Sequence, residues 1–124
     1  MKFVFDECLS DKTPKALEIM GKDTISSLEV WGRGAADTDW IPDASKRGWC
    51  VITSDQLRPH RRLALTQQNG RFFVLTSKNL SPWEQFKLIV NKWEDLEKQA
   101  RKRRPPYVLR VPKRGSKFEE IRVT

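Results

Sequence analysis

The chain has a single histidine, His60, and two cysteines, Cys8 and Cys50, in 124 residues. One imidazole leaves little room for a histidine-based zinc centre or for a nucleophile activated by a histidine relay. Two thiols allow at most one pair, so no disulfide framework is expected, and Cys50, inside an apolar stretch, reads as a small core residue. No apolar run approaches the ~20 residues that span a bilayer. The N-terminus meets its first acid, Asp6, too early for a secretory signal, so a cytoplasmic setting without a membrane is expected. The length suits one domain around one core, residues 1–124.

What the chain does have is charge, unevenly placed. Residues 1–97 carry 14 Lys/Arg and 14 Asp/Glu, whereas residues 98–124 carry 10 and 2, so the whole net charge of +8 belongs to the C-terminal segment. A segment of that kind attracts polyanions, although a solvated basic tail would have the same composition.

Short β-rich runs alternate with helical patterns. Residues 2–5, 24–30, 49–53, 71–75 and 107–111 read as strands. Residues 14–20 read as a helix capped by Asp11 or Thr13 and stopped by Gly21. A second helix is expected over 38–46, with Asp37 as N-cap, Pro42 near its start and Gly48 closing it. Residues 59–68 suit another, followed by a turn at Asn69 and Gly70. The longest begins at Ser81, Pro82 and Glu84, a capping-box signature, and runs to about Ala100. Its Trp83, Phe86, Ile89, Val90, Trp93 and Leu96 recur at spacings of three and four, which makes one apolar face. Pro105 and Pro106 end it. The alternation implies an α/β sandwich around a mostly parallel sheet, whose sites form beyond the carboxyl ends of the strands.

Acids stand where such a sheet would expose them. Asp6 and Glu7 follow the first strand, Asp55 follows the third, and Asp37 and Asp39 open a helix that can face the same crevice. Each has a plain structural explanation as a cap or a loop residue. Together they repel one another unless a cation sits among them, and a hard divalent ion, Mg²⁺ or Mn²⁺, suits carboxylate oxygens.

Residues 3–10, 34–41 and 48–55 resemble, in order and spacing, the PIN-like domain ribonucleases, in particular VapC-type toxins of toxin–antitoxin modules. Residues 104–115 also look like the end of some such toxins. The resemblance implies a three-layer α/β sandwich with a five-stranded parallel sheet, a Mg²⁺ or Mn²⁺ site and cleavage of an RNA substrate. By position, Asp6, Asp37 and Asp55 would bind the metal and carry catalysis, with Thr53 holding the site through its hydroxyl. Many PIN domains have Glu in the second motif. This chain offers Asp37 and Asp39, with Asp39 the second choice as ligand. Glu7 is the nearest candidate for a fourth acid. The resemblance also implies an antitoxin protein as partner.

Arg58, His60, Arg61 and Arg62 follow Asp55 and would rim the crevice, where phosphates of a scissile strand lie; a charged surface helix start would look the same. Arg101, Lys102, Arg103, Arg104, Arg110, Lys113 and Arg114 read as a larger basic patch for the nucleic-acid backbone. Of the five tryptophans, Trp49, Trp83 and Trp93 read as core or interface, and Trp40 as a wall of the crevice beside Trp31. The aromatic helix face suits docking of an antitoxin or a second copy, a homodimer. Two other readings compete: a phosphoacceptor receiver domain using Asp55, Thr76 and Lys113, and a non-catalytic PIN-like module that binds nucleic acid or protein.

Overall fold

In a computed structural model, residues 1–54, 69–76 and 79–121 are described. They form a six-stranded sheet: β1 (Phe3–Phe5), β2 (Thr24–Ser26), β3 (Cys50–Thr53), β4 (Arg71–Leu75), β5 (Tyr107–Val111) and β6 (Glu119–Glu120). The strand order is β2-β1-β3-β4-β5-β6, parallel throughout except for β6, which runs antiparallel to β5. The helices are α1 (Lys12–Ile19), α2 (Ser27–Trp31), α3 (Asp37–Lys46) and α4 (Pro82–Lys102). The mostly parallel α/β sandwich matches expectation, with β6 added to the five strands foreseen.

Side chains alternate between the faces of a strand, and here both faces are covered. Phe3, Phe5, Ile52, Phe73 and Leu109 point to one side, where Leu17 of α1 and Ile89, Trp93 and Leu96 of α4 complete the core. Val4, Val51, Phe72, Val74 and Val108 point to the other, against Trp40, Ile41 and Ala44 of α3. That is why the strands read as unbroken apolar runs. Cys50 is a core residue, and burial pushes its thiol up to about 11, far from reactive.

The local signals mostly hold. Ser81 caps α4 with a full capping box: its hydroxyl accepts from the Glu84 N–H at 3.2 Å, and Glu84 accepts from the Ser81 N–H at 3.1 Å. Gly48 takes φ +74° to close α3. Lys92 of α4, buried, donates its ammonium to the Gly115 carbonyl and ties down the segment before β6.

Three expectations are corrected. The second strand stops at Ser26, not at Val30, because its one neighbour β1 ends at Phe5 opposite Ser26; Ser26 then caps α2 by accepting from the Leu28 N–H at 3.2 Å. Asp37 is not the N-cap of α3: Ala36 takes that place, and Asp37 is the first helical residue. On α4 the apolar face is only partly covered. Ile89, Trp93 and Leu96 are buried, but Trp83 is 63% exposed and Val90 is exposed as well. The helix expected at 59–68 lies outside the described residues.

Candidate metal and nucleic-acid site

The chain leaves β1 for β2 on one side and returns to β3 on the other, so the strand order reverses between β1 and β3. In an open parallel sheet this reversal opens a crevice beyond the carboxyl ends of the two strands. Asp6 and Thr53 sit there. The Asp6 N–H donates to the Ile52 carbonyl at 2.9 Å, which fixes the end of β1 against β3. The Thr53 hydroxyl, 1% exposed, donates to Asp6 Oδ2 at 2.9 Å. The role foreseen for Thr53 as a support thus has a definite partner.

Asp37 reaches this crevice from the first turn of α3, whose positive end favours a carboxylate. Its Oδ1 accepts from the buried Trp40 indole N–H at 3.1 Å. Trp40 therefore acts as a buried holder of Asp37 rather than as an open wall for a base. Glu7 is exposed, and its Oε2 accepts from the Gly34 N–H at 3.2 Å, tying the loop that precedes α3 to the end of β1. Asp39 is exposed on the same turn as Asp37.

Electrostatics single out Asp6. Its pKa lies above the ordinary aspartate value, first because burial penalises the carboxylate; the Thr53 and Cys8 hydrogen bonds oppose this, and the Asp37 charge adds to it. The Asp6 carboxylate, partly withdrawn from water and facing the Asp37 charge, is a hard oxygen donor of the kind suited to Mg²⁺ or Mn²⁺. Among the described residues no three His, Cys, Asp or Glu side chains come close enough to hold a metal together. Asp55, the expected third acid, follows Ser54 directly and lies outside the described residues, as do Arg58, His60, Arg61 and Arg62.

Cys8 belongs to the same group, and sequence reasoning set it aside. Its Sγ lies 3.5 Å from Asp6 Oδ2 and from Thr53 Oγ1, and it accepts from the Ser54 hydroxyl at 3.3 Å. The available signal was its place two residues after Asp6, in the turn closed by the Leu9 N–H bond to the Asp6 carbonyl at 2.9 Å. Cys8, Ser54, Asn79 and Gln85 line a cleft of about 330 Å³ beside it. Gln85 of α4 closes the far wall, accepting from the Ser10 N–H at 2.9 Å.

The basic residues do not form one patch. Arg103 and Arg104 precede β5 and lie at the amino edge of the sheet, opposite the acids; Arg110, Lys113 and Arg114 lie towards or beyond its carboxyl end. Arg103 meets Gln99 at 2.8 Å and Glu120 at 3.8 Å, and Arg110 meets Glu119 at 3.1 Å. Lys113 and Arg114 are exposed on the same edge as the acids. Trp31, Trp40 and Trp49 cluster together: Trp31 contacts Trp40 and Trp49 in tilted arrangements, with Arg47 over Trp49 at 4.9 Å, whereas Trp83 is exposed and stacks on Phe86.

A strand-end aspartate held by a strand-end threonine thus lies at the sheet's reversal, with a second aspartate from a helix start beside it. Residues 1–77 match the family described as PIN like domain, and the chain belongs to that family. The match takes in β1 to β4 and all of the acidic motifs, and leaves α4, β5 and the basic segment outside it. No curated protein and no solved structure matches.

Proposed function

We propose that this protein is a metal-dependent endoribonuclease that hydrolyses RNA phosphodiester bonds, and that it is the toxin component of a type II toxin–antitoxin module. The observation that carries the reading is the Asp6–Thr53 bond at the sheet reversal with the Asp37 charge beside it, in a chain of the PIN-like family. The VapC-type likeness of residues 3–10, 34–41 and 48–55 supports the toxin assignment.

Asp6 and Asp37 would hold the ion, with Asp55 as the third carboxylate and Asp39 as the nearby alternative. Mg²⁺ or Mn²⁺ supplies Lewis acidity when bound, acidifying water and offsetting the charge that builds on the phosphate. The chain's own residues do the rest. Thr53 holds Asp6 by its oxygen and keeps its carboxylate more readily ionised, and the Trp40 indole fixes Asp37. Glu7 sets the loop that carries Asp37 through Gly34. Lys113 and Arg114, with Arg58, His60, Arg61 and Arg62, would steer and hold the phosphates of the strand, giving affinity without sequence choice. Arg103, Arg104 and Arg110 would add to that field from further away.

A toxin needs an antitoxin, and the exposed apolar stretch of α4 around Trp83 is the surface such a protein or a second copy would use. No described helix is long and apolar enough to cross a membrane. We place the protein in the cytoplasm, where its RNA substrate is.

The test is incubation of the purified protein with single-stranded RNA in Mn²⁺, in Mg²⁺ and in EDTA. Cleavage in the metals and none in EDTA is expected. Cleavage that persists in EDTA would reject the metal role, and no cleavage of total RNA in any condition would reject the nuclease.

A further inference from the structure

The amino edge of the sheet, across from the acids, holds a second cleft of about 610 Å³. Lys46 at the end of α3, Arg71 at the start of β4 and Arg104 before β5 all line it, with Ser45, Gly48 and Asn69. None of the three cations has a carboxylate partner among the described residues; the neighbouring ion pairs use Arg47 with Asp43 and Arg103 with Glu120 instead. Asp43, the acid that Lys46 feels, is already paired with Arg47, so three positive charges gathered here repel one another and the arrangement costs stability unless an anion joins them.

Cations at this edge have an ordinary use, since α3 and α4 end here and their carbonyl ends are negative. Lys46 fits that use. Arg104, one residue past the Arg103 C-cap of α4, can share it, but Arg71 does not, because it opens strand β4. Two polar atoms sharpen the point. The Arg71 Nε and the Ser45 Oγ are both buried and have no hydrogen-bond partner among the described residues, and Ser45 is 6% exposed. Buried donors are nearly always satisfied, so two orphans just behind the wall of one cationic cleft are donors that a small side-chain rotation would bring to an acceptor there. The backbone leaves room for it: Gly48, at φ +74°, has the Arg71 guanidinium as the nearest atom a side chain there would meet, 3.6 Å away.

We infer that this cleft is a phosphoryl-binding site, in which Arg71, Arg104 and Lys46 hold a phosphate group and the Ser45 hydroxyl turns outward to donate to one of its oxygens. Guanidinium forks and ammonium groups match phosphate oxygens in geometry and charge. The site is separate from the acidic crevice by the length of β3, four residues or about 13 Å. It stands on its own observations, whatever the acids do.

The experiment titrates inorganic phosphate, at constant ionic strength and in EDTA, into ¹⁵N-labelled protein and follows the Gly48 and Gly70 amides. EDTA removes any contribution of a metal at the acidic edge. Saturable shifts of these amides are expected, weakened about 10- to 100-fold by the double change Lys46→Ala and Arg104→Ala. Both side chains are exposed, so the fold is kept, and a thermal melt of the variant checks it. Short RNAs with a 5′-phosphate or a 5′-hydroxyl then compete. Displacement by the phosphorylated strand alone assigns the site to a strand end, displacement by both assigns it to the backbone, and displacement by neither assigns it to a small phosphorylated molecule; each supports a phosphoryl site. Shifts that do not saturate, or an affinity unchanged in the double variant, overturn it.

Discussion

Thr53→Val tests the contact on which the acidic site is built. Valine keeps the shape of the side chain, which is 1% exposed, and deletes the hydroxyl that donates to Asp6 Oδ2 at 2.9 Å. A hydrogen bond to a charged acceptor contributes about 1.5–3 kcal/mol, and relief from burying the hydroxyl offsets part of it. Near neutral pH the net loss should be about 1–2 kcal/mol, or a melting point lower by about 4–8 °C. The sign with pH is fixed by which form of Asp6 the hydroxyl favours. Thr53 pulls the Asp6 pKa down against burial, so its stabilisation is greatest when Asp6 is ionised and shrinks as pH falls through the raised pKa of Asp6. Below it, the bond joins neutral groups and is roughly half as strong. Urea unfolding of both proteins, near neutral pH and at about pH 3, gives the two penalties. A penalty that is equal at both, or larger in acid, would refute the account of this contact.

Other outcomes follow from the same geometry. Asp6→Asn removes a carboxylate whose ionised form is penalised by burial and by Asp37, so the folded protein should be no less stable near neutral pH; a marked fall in melting temperature would contradict the raised pKa. Mn²⁺ affinity, measured by calorimetry, should fall as pH drops through the raised pKa of Asp6, because protons then compete for the ligand oxygen; a flat profile would remove Asp6 from the ion's ligands. Trp40→Phe keeps most of the buried ring and deletes the N–H that holds Asp37 at 3.1 Å, and should weaken Mn²⁺ binding about 3- to 10-fold with a loss of about 1 kcal/mol in stability. Ser81→Ala removes the N-cap hydroxyl of α4 and should cost about 1 kcal/mol in urea unfolding, with metal affinity unchanged.

Much of this was legible in the chain because the strands are covered on both faces. Phe3, Val4 and Phe5 form an unbroken apolar run for that reason, and Asp6 directly after it emerges at the carboxyl edge of the sheet. The α4 start was legible because a capping box is local chemistry, complete within four residues. What failed depended on neighbours far away in sequence. Ser26 ends β2 because β1 supplies no further partner, which its own residues do not reveal. The long period of apolar residues on α4 could not say that Trp83, in its first turn, would lie exposed and stacked on Phe86. The basic residues were contiguous in sequence around Pro105 and Pro106, but β5 carries the chain across the sheet and parts Arg104 from Lys113. Cys8 gave the weakest signal, since a thiol beside an oxygen cluster has no pattern of its own.

The most direct measurement is single-turnover cleavage of a fluorogenic single-stranded RNA in Mn²⁺ by the native protein and by Asp6→Asn and Asp55→Asn variants, with RNA affinity measured alongside. The account predicts metal-dependent cleavage by the native protein, its loss in both variants, and RNA affinity kept within a few-fold in each. Undiminished cleavage by Asp6→Asn would contradict it.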